Sequence, residues 1–291
     1  MKKIAFLSLR RMKKNMKKTM ALAALQAFAV RAGAAVRLAA VGLGLAVTGC
    51  SLPPAGSARF MSFNIRIGCG HDDPFELEKG SLGYLPKCAE VIRRENPDFV
   101  AIQEIDRGTD RVGGVDQTQA LAELCGLHGT FVPKDPRPGG EYGLAILSRE
   151  KPLRVERVLM PGKVHTRCLM ICEFEDWIVA NTHFPLSDER CRTAAEIVCA
   201  NLRHRGKPVI LMGDFNSDPG TKTLDVLRES FVILSDPSVL TWPAKAPART
   251  IDYVMVDKAH ADAVPSARPR VVAAPQATDH CALVVEVPKD H

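Results

Sequence analysis

The 291-residue sequence lacks the features that define several large protein classes. It has no apolar run long enough to suggest repeated membrane spans. Its composition is not extreme, since 46% of the residues are apolar, 25% are charged and the mean hydropathy is −0.03. This balance excludes a wholly disordered, collagen-like or polytopic membrane protein, and the length allows one large domain or two small ones.

Several catalytic motifs are also missing. The sequence contains no P-loop of the form G-x-x-x-x-G-K-[ST], no G-x-S-x-G nucleophile elbow and no G-x-G-x-x-G dinucleotide loop. Their absence argues against P-loop nucleotide hydrolysis, serine esterase chemistry and dinucleotide redox chemistry.

None of the nine cysteines stands in a C-x-x-C pair, so a structural zinc site has little support. Eight cysteines remain besides Cys50, and an even number permits disulfides in an exported protein. Cys191 and Cys199 are eight residues apart in a predicted helix and fall on one face of it. Because free cysteine is readily buried, we expect small apolar core residues here and leave disulfide pairing open.

Acidic residues are absent from the first 49 positions, which hold ten of the 39 Lys and Arg residues. The formal net charge of +6 therefore arises in this segment. The rest of the chain has 29 basic against 33 acidic residues, a net charge of −4. This net acidic part of the chain has no general electrostatic attraction for nucleic acids.

The N-terminal segment has the layout of an export signal. Residues 1–18 are rich in Lys and Arg, and the last clean apolar stretch, residues 38–49, is too short to span a bilayer. It ends at Val47-Thr48-Gly49-Cys50, which is similar to a bacterial lipoprotein signal. We predict a signal peptide over residues 1–49 and a lipidated Cys50 with a flexible tether over residues 50–58. The protein would then be anchored by lipid in the cell envelope, facing the periplasm or the surface. A plain secretory signal or a short uncleaved anchor is the alternative.

From residue 59 onward, short apolar runs alternate with helical stretches. We predict strands over residues 59–67, 99–103, 144–148, 177–182, 208–212, 250–256 and 282–287, and helices over residues 85–95, 117–125, 187–204 and 221–229. With no repeat and no linker in this part, we expect a single α/β domain over residues 59–291.

Polar residues lie in or beside the ends of six predicted strands. The set is Asn64, Glu104, Asn181, His183, Asp214, Asn216, Asp252, Asp279 and His280. Ligand sites of α/β sheets gather at strand ends, so we expect these side chains to converge on one site. Carboxylates with amides suit a hard cation, Mg²⁺ or Mn²⁺, better than zinc. The set therefore favours metal-assisted hydrolysis of a phosphate ester.

Seven short segments carry a family resemblance in order and spacing: residues 61–66, 101–104, 142–148, 181–183, 213–216, 250–253 and 278–280. Together they resemble the endonuclease/exonuclease/phosphatase superfamily, the DNase I-like and exonuclease III-like enzymes. The resemblance implies a four-layer α-β-β-α sandwich of two mixed β-sheets flanked by helices.

The resemblance also implies a role for each site residue. Glu104 would hold the metal ion, Mg²⁺ or Mn²⁺, with Asn64 close by and Asp279 as a further ligand. His280 would be the general base for the attacking water, oriented by Asp252.

The remaining residues would act on the nucleophile and the phosphate. Asp214 would align the nucleophile and Asn216 would hold a phosphate oxygen. His183 would donate to a phosphate oxygen or the leaving group, and Asn181 would help to position it. Tyr142 matches a tyrosine that some relatives place against the phosphate.

The substrate is less closely defined by the resemblance. The N-T-H form at residues 181–183 looks like DNase I, the sphingomyelinases and the lipid-directed branch, and Arg66 stands where the repair nucleases carry an acid. With the net acidic body, this favours a phosphodiesterase or phosphatase acting on a small-molecule or lipid-borne phosphate, sphingomyelinase-like or inositol-phosphate-like. An extracellular DNase I-like endonuclease is the alternative, with nucleic acid as a less favoured partner. A surface lipoprotein that binds phosphorylated ligands without hydrolysing them is the non-enzyme alternative.

Overall fold

The structure is a computed structural model that describes residues 57–70, 81–160, 166–264 and 267–288. The predicted signal peptide, Cys50 and the tether up to residue 56 lie outside the described residues.

The described residues form twelve strands and four α-helices. The strands are β1 (Ser57–Asn64), β2 (Phe99–Arg107), β3 (His128–Arg137), β4 (Gly140–Ser148), β5 (Arg154–Met160), β6 (Arg167–Glu173), β7 (Ile178–His183), β8 (Val209–Asp214), β9 (Phe231–Ile233), β10 (Asp252–Asp257), β11 (Arg268–Val272) and β12 (Ala282–Pro288). The helices are α1 (Leu85–Glu95), α2 (Gln117–Cys125), α3 (Asp188–Leu202) and α4 (Lys222–Ser230). Among these helices, none combines the length and hydrophobicity that a membrane crossing requires.

The strands form two six-stranded sheets of the same design. The first sheet has the order β11-β12-β1-β2-β4-β3, and the second has the order β5-β6-β7-β8-β10-β9. The central pair of each sheet, β1–β2 and β7–β8, is parallel, and every other neighbouring pair is antiparallel. Both sheets are therefore mixed.

Three apolar clusters hold the layers together. The first lies between the two sheets and includes Phe60, Met170 and Met212. A second joins the first sheet to α1 and α2, and a third joins the second sheet to α3 and α4. The layers follow the order helices, sheet, sheet, helices, which confirms the predicted four-layer α-β-β-α sandwich.

The predicted elements agree with the structure except at some ends. All four helices and seven strands are present, with helix ends within two residues of the prediction. The first strand ends at Asn64 rather than at residue 67, because Arg66 and Ile67 adopt left-handed backbone angles, with φ of 46° and 50°. It begins at Ser57, so Ser57 and Ala58, assigned above to the tether, belong to β1 and pair with β12.

Five strands were not predicted from the sequence: β3, β5, β6, β9 and β11. Four of these form the edges of the two sheets. Edge strands are commonly short, charged or interrupted by proline, and β3 and β11 both contain proline. The usual alternation of apolar residues is therefore weak in them.

The eight cysteines in the described part of the chain are all free. Seven are buried and Cys125 is half-buried. Cys191 and Cys199 pack in the cluster between the second sheet and its helices, as predicted for apolar core residues.

The cluster between the sheets gives a stability prediction. Phe60 is fully buried there, stacked on Phe99 at 5.2 Å and in edge contact with Trp177 at 5.2 Å between ring centroids. We expect Phe60→Ala to lower the free energy of unfolding by about 3–5 kcal/mol, because it leaves a cavity in a close-packed core. Chemical denaturation measures this change. The control Leu153→Ala, at a side chain that is 65% exposed, should change the free energy by less than about 0.5 kcal/mol. Equal effects of the two substitutions would contradict this account of the core.

Candidate active site

The candidate site is a polar continuation of the apolar interface between the sheets. Side chains of a strand alternate between its two faces. On β1, Phe60 and Ser62 face the other sheet and Asn64 follows on the same face. The same spacing leads from apolar interface residues to Asn181 and His183 on β7, to Asp214 on β8 and to Asp252 on β10. One end of the interface is therefore polar and the rest is apolar.

The register of the second sheet brings three of these residues side by side. Asp214 lies directly opposite His183 on β7 and directly opposite Asp252 on β10. Above them is a cleft of about 410 Å³. Six of the predicted residues line it: Glu104, His183, Asp214, Asn216, Asp279 and His280. The other three, Asn64, Asn181 and Asp252, are buried behind them.

Glu104 reaches the cleft through a bulge in β2. The pairing of β2 with β4 shifts between Ile102 and Ile105, and Glu104 has a left-handed φ of 55°. A bulge adds one residue to a strand and redirects its side chain. Without it, Gln103 and Glu104 would simply alternate across the sheet.

Asn64 joins the carboxylates of the two sheets. Its Nδ2 donates to Glu104 Oε1 at 3.1 Å and to Asp214 Oδ2 at 3.0 Å. Its Oδ1 accepts a hydrogen bond from the backbone N–H of Arg66 at 3.0 Å, which fixes the orientation of the amide. Asn64 thus lies beside the carboxylates and turns its nitrogen, not its oxygen, toward them.

Asp214 Oδ2 is the point on which the other groups converge. It lies 3.6 Å from His183 Nε2 and 3.8 Å from His280 Nε2, in addition to its bond with Asn64. Burial and the neighbouring Asp252 carboxylate raise the pKa of Asp214 to about 7. A positive charge bound beside Asp214 would therefore favour the ionised form of this carboxyl group.

His280 and Asp252 form a buried pair. His280 Nδ1 lies 3.2 Å and 3.1 Å from the two Asp252 carboxylate oxygens. Burial alone would lower the pKa of His280, but the charge and hydrogen bond of Asp252 outweigh it and, with Asp214 and Asp279, raise that pKa to about 10. A carboxylate at Nδ1 leaves Nε2 as the nitrogen that faces the cleft.

The partner of His183 at Nδ1 is a lysine, whereas the partner of His280 at Nδ1 is a carboxylate. Its Nδ1 lies 3.3 Å from Lys134 Nζ, and its Nε2 faces Asp214. Burial and the charges of Arg167 and Lys134 hold the pKa of His183 well below its usual value, so the ring is neutral. When the Lys134 ammonium donates to Nδ1, the ring proton is on Nε2, from which it can be donated into the cleft.

Asn181 connects the two sheets instead of opening onto the cleft. Its Nδ2 donates to the carbonyl oxygens of Ile102 at 2.8 Å and Ala145 at 2.9 Å, and its Oδ1 accepts from Gln103 Nε2 at 2.7 Å. All three partners belong to the first sheet. Asn181 therefore fixes the position of β7, and with it His183 two residues later.

The remaining predicted residues lie at the cleft surface. Asn216 donates through Nδ2 to the Phe184 carbonyl oxygen at 3.1 Å, and its backbone N–H donates to Asp214 Oδ1. Asp279 lies with Oδ2 at 3.7 Å from Arg66 Nε. Thr278 donates to the Asn64 carbonyl oxygen at 3.0 Å, which holds the turn before β12 against the end of β1.

The cleft also contains residues that were not predicted from the sequence as site residues. They are Arg66, Arg111, Arg137, Arg167, Leu186, Trp242 and Arg249, together with the buried Lys134 next to His183. Tyr142, noted from the resemblance, also lines the cleft. The alternation of side chains along a strand could have indicated Tyr142 and Lys134. Tyr142 lies two residues before Leu144 and Lys134 lies two residues after Val132, and both of these apolar residues face the other sheet. No comparable signal marks the arginines.

The donor set fits a hard divalent cation. Two compact groups of potential ligands occur among the described residues, Glu104 with His183 and Asp214, and Asp214 with Asp252 and His280. Within each group the donor atoms lie within 4.8 Å of one another. Carboxylate oxygens are the ligands that a hard cation such as Mg²⁺ or Mn²⁺ prefers. Asp279 is in neither group but faces the same cleft.

Comparison with known proteins identifies the family. Residues 61–280 match the Endonuclease/Exonuclease/phosphatase family, and the chain belongs to it. Members of this family hydrolyse phosphoester bonds. No curated protein is similar enough in sequence to match the chain.

Solved structures share the fold. An endonuclease/exonuclease/phosphatase family protein from Bacteroides thetaiotaomicron matches with a TM-score of 0.63 and 19% identity over 80% of this chain and 95% of that chain. The mannosyl-6-phosphatase of Bacteroides thetaiotaomicron has a TM-score of 0.60 and 18% identity, over 78% and 98% of the two chains. Truncated TDP2 from Caenorhabditis elegans has a TM-score of 0.60 and 15% identity, over 80% and 98%.

The His280–Asp252 pair gives a pH prediction. In metal-free protein, we expect Asp252→Asn to lower the pKa of His280 from about 10 toward its ordinary value of 6.5. The substitution removes the carboxylate that raises this pKa the most. NMR titration of the His280 ring in EDTA measures this. The matched control is Asp257→Asn, whose carboxylate lies 2.7 Å from His260 instead, and it should leave the His280 pKa unchanged. A His280 pKa that stays near 10 in Asp252→Asn would show that the pair does not set it.

Proposed function

We propose that this chain is a metal-dependent phosphoesterase that hydrolyses a small-molecule or lipid-borne phosphate ester by in-line attack of water on phosphorus. The observation that carries the proposal is the convergence on Asp214 Oδ2. Asn64, His183 and His280 all lie within 3.8 Å of this oxygen, at the base of one cleft. A nucleophile, a proton acceptor and a proton donor can meet a phosphate there.

The His280–Asp252 pair is the proposed general base. Asp252 fixes the ring by its contacts with Nδ1, so that Nε2 accepts the proton of the attacking water. We assign Mg²⁺ or Mn²⁺ to Glu104, with Asn64 and Asp279 close by. When bound, such a cation supplies positive charge that offsets the charge on the phosphate oxygens and opposes protonation of His280.

The other residues would orient the water and hold the phosphate. Asp214 lies within reach of both histidines and would align the attacking water. Asn216 and His183 would donate to the phosphate oxygens or the leaving group, and Asn181 would position His183 through its bonds to the first sheet. Donors fixed before the reaction stabilise developing charge without reorganisation.

The cleft supports a small phosphate ester as substrate. Its volume of about 410 Å³ is within the range of small-molecule sites. Leu186, which is 80% exposed, and Trp242 line the cleft and offer apolar contact to a sugar ring or a lipid chain. The structural relative named mannosyl-6-phosphatase acts, by its name, on a sugar phosphate.

An extracellular DNase I-like endonuclease is the second candidate. Five arginines line the cleft, and arginine binds phosphate groups of any origin, including those of a nucleic acid. The net charge of −4 outside residues 1–49, counted from the sequence, opposes broad attraction to nucleic acids. A substrate panel decides between the two candidates.

The activity prediction concerns Glu104 and His280. We expect the purified protein with Mg²⁺ or Mn²⁺ to hydrolyse a phosphate ester, and Glu104→Gln or His280→Ala to lower kcat/KM on the order of 10³-fold. The panel contains bis-p-nitrophenyl phosphate, p-nitrophenyl phosphate, a sugar phosphate, an inositol phospholipid, sphingomyelin and plasmid DNA, each with an EDTA control. Glu90→Gln, at an exposed position of α1, is the matched control and should retain full activity.

Each outcome has a definite meaning. Turnover that EDTA and both substitutions abolish supports the phosphoesterase, and preferred cleavage of plasmid DNA would replace the small-molecule proposal with the nuclease. Metal binding without turnover of any panel member would oppose both candidates as stated. Absence of both metal binding and turnover would favour a binding protein for phosphorylated ligands.

We also propose that the protein is exported and anchored in the cell envelope through lipid on Cys50, which would place the site near membrane phosphates. The support is the sequence pattern ending at Cys50. In a bacterial host, metabolic labelling with an alkynyl fatty acid should mark the wild-type protein, and Cys50→Ser should remove the label. Labelling that survives Cys50→Ser, or an unlabelled wild-type protein, would contradict the anchor.

A further inference from the structure

The chain enters the two-sheet sandwich at the end opposite the cleft. β1 begins at Ser57 and ends at Asn64, which donates hydrogen bonds to Glu104 and Asp214 of the candidate site. At about 3.3 Å per residue, the two ends of this eight-residue strand are about 23 Å apart. We call the end of the sandwich that contains Ser57 the far end.

Both sheets run in the same direction from the far end to the cleft. Toward the far end, Phe60 of β1 packs against Trp177, which precedes β7, with 5.2 Å between the ring centroids. At the other end, Asn64 of β1 contacts Asp214, the last residue of β8, and β8 is parallel to β7. The cleft therefore lies at the end of the sandwich that faces away from Ser57.

The start of β1 is fixed by a buried ion pair. Arg59 Nη2 donates to Glu286 Oε2 of β12 at 2.9 Å, and the backbone N–H of Arg59 donates to Asp98 Oδ2 at 2.8 Å. The side chains of Arg59 and Glu286 are only 4% and 11% exposed. Detaching this part of β1 would leave Glu286 buried without its closest partner, which is unfavourable. The first residues of β1 therefore stay in the sheet and do not lengthen the tether, residues 50–56.

The length of the tether limits how the folded part can turn relative to a lipid on Cys50. Seven residue steps separate Cys50 from Ser57, and they span at most about 25 Å at full extension. If the cleft faced the membrane that holds this lipid, Ser57 would lie about 23 Å or more from the membrane surface. Only a tether stretched almost to its full length allows this, and such stretching removes most of the conformational entropy of a chain. The opposite orientation needs no stretching.

We propose that the lipid anchor holds the far end toward the membrane and the cleft toward the solution, so that the protein acts on soluble phosphate esters and not on phospholipids of its own membrane. The inference rests on the proposed function and on the proposed anchor. It narrows the substrate class from small-molecule or lipid-borne esters to small-molecule esters. Anchoring brings the protein to the membrane, but the direction of β1 keeps the phosphates of that membrane out of reach of Asp214.

The two tryptophans of the chain can report the orientation without any need for activity. Trp177 lies toward the far end and Trp242 lines the cleft. The lipid-anchored protein is purified from bacterial membranes and reconstituted in vesicles that contain a phospholipid with a dansyl group on its headgroup. Trp242→Phe leaves Trp177 as the only tryptophan energy donor, and Trp177→Phe leaves Trp242. We expect energy transfer to the dansyl group to be several-fold stronger from Trp177 than from Trp242.

A longer tether is the second variant. Insertion of about twenty Gly and Ser residues between Gly56 and Ser57 should raise the transfer from Trp242, because the folded part can then turn over. The matched control places the same insertion after Gly206, in an exposed turn between α3 and β8, and it should not raise the transfer from Trp242. A transfer pattern that the longer tether leaves unchanged would show that the tether does not set the orientation, which would overturn the inference.

Energy transfer separates this inference from the proposed function. Stronger transfer from Trp177 would support the orientation even if no phosphate ester is hydrolysed, and the lack of hydrolysis would count against the phosphoesterase alone. Equal transfer, or stronger transfer from Trp242, would overturn the orientation. Hydrolysis of an inositol phospholipid in the vesicles that carry the wild-type protein would also overturn it. So would a wild-type protein that carries no lipid, because no anchor would then fix the orientation.

Discussion

The pleat of the strands is the constraint on which the rest of this structure depends. Once Phe60 of β1 and Met212 of β8 face each other's sheets, every second residue along those strands must face the same space. Near one end of the interface these positions are Asn64 and Asp214. The apolar core and the candidate site are therefore two ends of one surface, and a register shift of one residue would remove both.

Polar side chains between two sheets are costly unless they find partners. Asn181 meets this requirement by bonding with backbone carbonyls and Gln103 of the first sheet. These bonds also set how the sheets align, which matters because Glu104 comes from the first sheet and His183 from the second. The hydrogen bond between Asn64 and Asp214 crosses the same boundary. The site is assembled by the contacts that hold the layers in register.

Much of this arrangement follows from the sequence, because the inner strands are apolar and their polar ends stand out. The α/β class and the gathering of the polar strand ends could be predicted on that basis, whereas the four-layer arrangement was predicted from the family resemblance. The edge strands could not, since residues such as Pro133 in β3 interrupt the pattern. The route of Glu104 into the site could not be predicted either. It depends on a shift in strand register between β2 and β4, which arises from tertiary pairing and not from local residue preference.

Charge is distributed unevenly across the finished cleft, and His183 marks the division. Carboxylates cluster on the Nε2 side of its ring, where Glu104 and Asp214 share the amide of Asn64. Cations cluster on the Nδ1 side, beginning with Lys134. A buried cluster of like charges without a counter-ion lowers the stability of the folded protein. A divalent cation on one side and an anionic group on the other would relieve both at once. This division of charge supports the proposed function, in which a metal ion and a phosphate group would meet in the cleft.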